Sequence, residues 1–189
     1  MESGAIPDGS ITASSSYHYD LRPFYARLNV RSNGGGWAAT TSIIGQWLQV
    51  DLGEMKRVTG TIIQGRNRDE QWVTSYKLRY SADGTVWTTY AGSDGSDMVF
   101  PGNADMNTPV TNLLDNPIAA RYVRFYPQTW HIHMSMRVEI LGCSTDIRIT
   151  SPTSDGYTEF VAEVAGQPKQ TSLENGCRFF QATRTQTRL

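Results

Sequence analysis

Short runs of strictly alternating apolar and polar residues recur along this chain, and no window of a dozen residues sustains a helical stripe. In "QWLQVDL" the residues Leu48, Val50 and Leu52 fall on one face and Trp47, Gln49 and Asp51 on the other. "SYKLRYSADGTVWTTY" sets Tyr76, Leu78 and Tyr80 against Ser75, Lys77 and Arg79, and Asp83-Gly84 then predicts a tight hairpin turn before a strand from Val86 to Tyr90. "RYVRFYP" turns Val123 and Phe125 inward, and "MRVEIL" does the same with Val138 and Ile140. Such strands, joined by turn-rich segments such as "FPGNADMNTP" and "LLDNP", indicate an antiparallel sandwich or barrel.

With 189 residues and 39% hydrophobic content, the chain has material for one domain of about 140 residues and a remainder. A net charge of -1 offers no global field for nucleic acid, so any binding must come from a local site. No apolar run approaches the ~20 residues of a membrane span, and the N-terminus lacks the basic-then-apolar pattern of a secretion signal.

One segment breaks the alternation. "YHYDLRPFYARLN", Tyr17 to Asn29, crowds aromatic, aliphatic and cationic side chains without either period, and the glycines Gly34, Gly35 and Gly36 follow it. On a sandwich, such a loop sits at a pole where a rigid scaffold can hold it out toward a partner. Phe24, Tyr25 and Leu28, beside the next strand, are expected to fold back as a satellite cluster. For Tyr17 to Arg22, display and cover are both open.

The segments "MESGAIPDGSITASSSY", "YARLN", "GGGWAATT", "QWLQVDLG", "VTGTIIQGR", "QWVTSYKLRYSADGTVW", "ARYVRFYPQTWH" and "SMRVEILGC" occur in an order and spacing that resembles the discoidin domain, also called the coagulation factor V/VIII type C domain. The likeness runs from Met1 to Cys143. It implies an all-β fold, an eight-stranded antiparallel jelly-roll sandwich of the galactose-binding-like type over residues 1–143. Residues 144–189 are left as an irregular tail or the truncated start of a second domain. It also implies a non-enzymatic extracellular or secreted adhesion module that binds protein, glycan or anionic phospholipid through three loops at one pole. An accessory carbohydrate-binding domain of a larger glycan-active enzyme is the second reading.

Carried onto this sequence, the first loop is Tyr17–Pro23, the second Thr41–Gly45 and the third Arg66–Glu70. The expected ligand-binding residues are Tyr17, His18, Tyr19, Leu21 and Arg22 on the first, Ile43 and Ile44 on the second, and Arg66 and Arg68 on the third. Ile43-Ile44 is a poor turn-forming pair, and the alternative is that it opens the following strand. The second loop has no acidic residue, which disfavours recognition of a C-terminal arginine or of collagen, and the first lacks the tryptophan common in membrane-binding relatives. Tyrosine and histidine suit a sugar face or protein surface. Protein or glycan is therefore ranked slightly ahead of lipid.

Trp37, Trp47, Trp87 and Trp130 lie in framework segments and are expected in the core, whereas Trp72 adjoins the third loop. Arg27 and Arg137 are expected to make structural ion pairs. His131 and His133 would share a strand face as a metal pair does, but no third ligand is placed beside them. Asn103 to Asn107 starts like a calcium loop, yet Thr108 and Leu114 stand at its glycine and glutamate positions. No cofactor is implied; calcium stays possible without a motif. No nucleophile elbow, phosphate loop or dinucleotide fingerprint is present. In the family a disulfide joins Cys143 to a cysteine preceding the Met1 segment. That cysteine is missing, so a truncated start is expected, and pairing of Cys143 with Cys177 remains open.

Overall fold

The computed structural model describes residues 1–144 and contains eight strands among them. These are β1 (Ile11–Ala13), β2 (Trp37–Ala38), β3 (Leu48–Gln64), β4 (Trp72–Ser81), β5 (Thr88–Thr89), β6 (Val99–Pro101), β7 (Val110–His131) and β8 (Ser135–Ser144). Every ladder between them is antiparallel, in the order β2-β8-β3-β7-β4-β5, with β1 on β3 and β6 on β4. The fold is the antiparallel all-β sandwich expected from the alternation, with the eight strands of the jelly roll that the resemblance implies. The predicted tail and the Cys143–Cys177 alternative lie outside the described residues.

Two long strands, β3 and β7, carry the architecture. Their register slips between Asp51↔Tyr122 and Lys56↔Ala120. There Gly53 takes a φ of +82°, and the Asp51 carboxylate accepts from its amide at 2.8 Å. A bulge of this kind bends a strand, so one continuous segment can serve both layers.

Side chains alternate inward to form a single core that includes Leu48, Val50, Tyr76, Leu78, Phe100, Val123, Phe125 and Val138. The Tyr76 hydroxyl is paired at 2.6 Å with Thr61 Oγ1 and accepts from Asn112 Nδ2 at 3.1 Å. Burial pushes its pKa up to about 12. Leu28 is buried and Phe24 and Tyr25 are half-buried with ring centroids 4.3 Å apart, so this part of the segment folds back as expected.

Three framework expectations need correction. Asp83-Gly84 does not make a two-residue hairpin: Asp83 Oδ1 accepts from the amides of Thr85 at 2.8 Å and Val86 at 3.0 Å, which widens the turn and leaves Thr88–Thr89 as the whole of β5. Trp37 is fully buried and Trp130 packs against the core, but Trp47 and Trp87 lie on the outer face. Their rings hold the Arg124 guanidinium between them, at 4.1 and 3.8 Å from the two centroids. Arg27 does pair with Asp8 at 2.6 Å, whereas Arg137 meets no carboxylate among the described residues. It is buried and donates instead to the carbonyls of Gly65 (2.7 Å), Val30 (3.0 Å) and Met106 (2.7 Å) and to Asn107 Oδ1 (3.0 Å). Desolvation, with Arg31 nearby, lowers its pKa to about 10.

Candidate functional site

Strand ends define the pole. Trp72 at the start of β4 faces His131 at the end of β7, and Gln64 at the end of β3 faces Arg137 near the start of β8. The three loops emerge around these ends, together with the β7–β8 tip, residues 132–134.

The first loop is shaped by a 3-10 turn at Tyr19–Leu21, with His18 as its N-cap. That turn directs Leu21 inward beneath Gly34, and the Asp20 carbonyl accepts from the Gly34 amide at 3.0 Å. Leu21 is only 3% exposed, so it is a buried anchor and not a displayed tip. Tyr17 and Tyr19, on the outer side of the turn, are each 63% exposed, and Arg22 is exposed as well. His18 Nδ1 lies 3.6 Å from the Asp20 carboxylate.

In the second loop, Ile43 and Ile44 are 57% and 62% exposed. β3 begins only at Leu48, so the pair does not open the strand. Gly45 at φ +105° completes a turn that an L side chain would strain. Ser14, Ser15 and Ser16 fasten this loop to the first: Ser15 Oγ donates to Gln46 Oε1 at 2.7 Å, and Thr40 Oγ1 donates to the Ser16 carbonyl at 2.9 Å.

The third loop divides its two arginines between different tasks. Arg66 Nε donates to the Gly34 carbonyl at 2.7 Å, its Nη1 to Gln71 Oε1 at 2.9 Å, and its Nη2 pairs with Asp69 at 2.7 Å. Its expected role as a ligand-facing charge is therefore corrected, because these bonds turn it into a clasp between loops. Arg68 is exposed and makes one long contact, 3.3 Å, with the Arg31 carbonyl.

The β7–β8 tip had no place in the sequence-based site. Ile132 is 67% exposed at a φ of +56°, and the His133 amide donates to the His131 carbonyl across it at 2.6 Å. This reversal means that His131 and His133 do not share a strand face. The His131 ring stacks on Trp72 at 4.1 Å, while His133 meets the Tyr17 ring edge-on at 5.5 Å. The Met134 amide donates to Ser42 Oγ at 2.8 Å, joining the tip to the second loop. Burial, with Arg66 nearby, pushes the pKa of His133 below the ordinary imidazole range. Among the described residues no cluster of three or more His, Cys, Asp or Glu side chains could hold a metal ion.

The pole thus gathers Tyr17, Tyr19, Ile43 and Ile44 as exposed apolar tips, with His18, Arg22 and Arg68 around them and Leu21 and Arg66 beneath. The F5/8 type C domain model matches residues 10–140. The chain belongs to that family. This F5/8 type C domain is 41% identical to bovine (Bos taurus) lactadherin over 153 residues, which cover 76% of this chain and 36% of lactadherin. It is 38% identical to retinoschisin of Takifugu rubripes over 149 residues, covering 76% of this chain and 53% of that protein. Among solved structures, discoidin II of Dictyostelium discoideum superposes with a TM-score of 0.66 at 28% identity, covering 72% of this chain and 56% of that one. The chain therefore spans about a third of lactadherin's length.

Proposed function

We propose that this F5/8 type C domain is a non-catalytic extracellular recognition module that docks its loop pole onto an anionic lipid surface. The observation that carries this reading is the exposed Ile43-Ile44 pair, held in a turn before β3 at the pole that also exposes Tyr17 and Tyr19. Saturated aliphatic tips gain little from a sugar and much from an acyl boundary. The ranking that placed protein or glycan ahead of lipid rested on Tyr17, His18 and Tyr19. Those rings stay exposed and suit more than one kind of partner, whereas the Ile43-Ile44 pair favours an acyl boundary, which moves lipid ahead.

Burying each isoleucine contributes about 1.5–3 kcal/mol, and each arginine near an anionic surface about 1 kcal/mol. Lost motional freedom opposes this by about 4 kcal/mol or more. A single copy then binds weakly, and useful avidity comes from repetition on one surface.

The test is sedimentation with phosphatidylcholine vesicles, with and without phosphatidylserine, alongside glycan and collagen arrays. Binding should require phosphatidylserine and fall sharply in Ile43→Ser/Ile44→Ser. Unchanged vesicle binding by that variant would remove the reading, as would glycan or collagen capture with no vesicle binding.

A further inference from the structure

Three non-glycine residues among those described have positive φ: Asn29 at +59°, Asn33 at +51° and Ile132 at +56°. Asparagine is one of the side chains that tolerates this region, whereas a β-branched residue there is a true outlier. Ile132 nevertheless holds this conformation and leaves 67% of its surface in solvent. The fold gains little packing from it, so glycine or asparagine would serve the turn better. An outlier of this kind, held in place by its surroundings, points to a use for the side chain.

The surroundings do hold it. The His133 amide closes the turn on the His131 carbonyl, Trp72 stacks on His131, and Tyr17 packs against His133. Met134 is bonded on two sides, its amide to Ser42 Oγ at 2.8 Å and its carbonyl to the Ala39 amide at 3.1 Å. The tip is thereby registered against the first loop, the second loop and the flank of the third, at the pole that carries Ile43 and Ile44.

We propose that the β7–β8 tip is a fourth contact element, which places Ile132 in the same apolar layer of a lipid surface as Ile43 and Ile44. This rests on the lipid-docking reading above and extends it to a loop outside the three expected ones. Ile132 adds a third aliphatic anchor, and three anchors define a plane where two define only a line. The tip therefore sets the tilt of the domain on the surface as well as adding affinity.

Ile132→Gly is the decisive variant, because glycine adopts this φ without strain. Its thermal midpoint should equal or exceed that of the parent, while partition onto phosphatidylserine-containing vesicles drops roughly ten-fold or more. A second variant, Ile132→Trp, should show an added component of tryptophan fluorescence quenched by vesicles with brominated acyl chains, relative to the parent with its five tryptophans. Parental partition by Ile132→Gly, or no added quenching in Ile132→Trp, overturns the fourth element. If Ile43→Ser/Ile44→Ser loses binding in the same assay, the lipid-docking reading survives that result; if it too binds like the parent, both fall together.

Discussion

Replacing Gly34 by alanine tests whether the first loop is held by packing. A Cβ built there meets Leu21 Cδ2, lies 2.8 Å from Leu21 Cγ, and is 2.7 Å from the Asp20 carbonyl oxygen. The leucine could swing aside, but the carbonyl is backbone and is bonded to the Gly34 amide at 3.0 Å. On the other side, Arg66 fixes the Gly34 carbonyl at 2.7 Å, so the new methyl group cannot be relieved by sliding the glycine segment away. Overpacking of this type costs about 1–3 kcal/mol. With a urea m-value of about 1–3 kcal/mol/M, the unfolding midpoint should fall by roughly 1 M. Leu21→Ala alone opens a cavity and costs about 2–5 kcal/mol. It also deletes both leucine atoms that the new Cβ would strike. The double variant should therefore be less destabilised than the two single effects added, with a coupling of about 0.5–3 kcal/mol. Tyr17 and Tyr19 flank the same turn, so Gly34→Ala should weaken vesicle binding as well. An unshifted midpoint for Gly34→Ala, or additivity within about 0.5 kcal/mol in the cycle, would refute the packing argument.

The two arginines of the third loop should separate by experiment. Arg66→Ala should destabilise the fold by about 1.5–3 kcal/mol through lost charge-assisted bonds, whereas Arg68→Ala should leave the urea midpoint nearly unchanged and flatten the salt dependence of vesicle binding. The pH dependence of stability follows from His133, whose folded-state pKa lies below its unfolded one. The unfolded chain then binds more protons, so the contribution of His133 is complete above the ordinary imidazole range and is lost as pH falls through the lower folded value. His133→Gln should flatten the urea midpoint across about pH 5–7. Asp83, whose pKa is lowered chiefly by the Val86 and Thr85 amides, works in the same direction at lower pH: its contribution is complete above the ordinary carboxylate range and is lost as acid protonates it.

Periodicity was informative wherever a residue's environment depends on its immediate neighbours along the strand. Leu48 and Val50, Tyr76 and Leu78, and Val123 and Phe125 all face inward as the alternation requires. The same alternation put Trp47 on the face opposite Leu48. Only its membership of a framework segment suggested a core position, and the local pattern proved the better guide. Its actual partner, Arg124, stands opposite Gln49 on a strand more than seventy residues away, a neighbour that spacing alone does not supply. Leu21 and Arg66 were misjudged for the same reason. Each has the composition of a displayed residue, and each is turned inward by the backbone of Gly34. Ile132 stayed hidden because strand alternation runs straight through "WHIHM", while the chain reverses at the isoleucine itself.

A loop held outside the ladder leaves amides and carbonyls without partners, and these must be satisfied if it is to stay rigid. Here much of that work falls to arginine. Arg66 takes the Gly34 carbonyl, Arg68 reaches the Arg31 carbonyl, and Arg137 takes those of Val30, Gly65 and Met106. The glycines permit this because Gly34 approaches Leu21 and the Asp20 carbonyl more closely than a side chain would allow, and Gly35 beside Arg68 takes a φ of +78°. The consequence reaches the surface. The guanidinium groups of Arg66 and Arg137, each held by several such bonds, are unavailable to an anionic partner, and Arg66 is further neutralised by Asp69, whereas Arg68, with one long contact, stays exposed. Exposed charge at the pole is accordingly of mixed sign, with Arg22 and Arg68 set against Asp69 and Glu70, while its exposed tips are aliphatic and aromatic. On the lipid-docking proposal, an interface built this way would draw its affinity mainly from apolar burial and use charge chiefly to choose the surface, so the isoleucine variants should discriminate more sharply than the arginine ones.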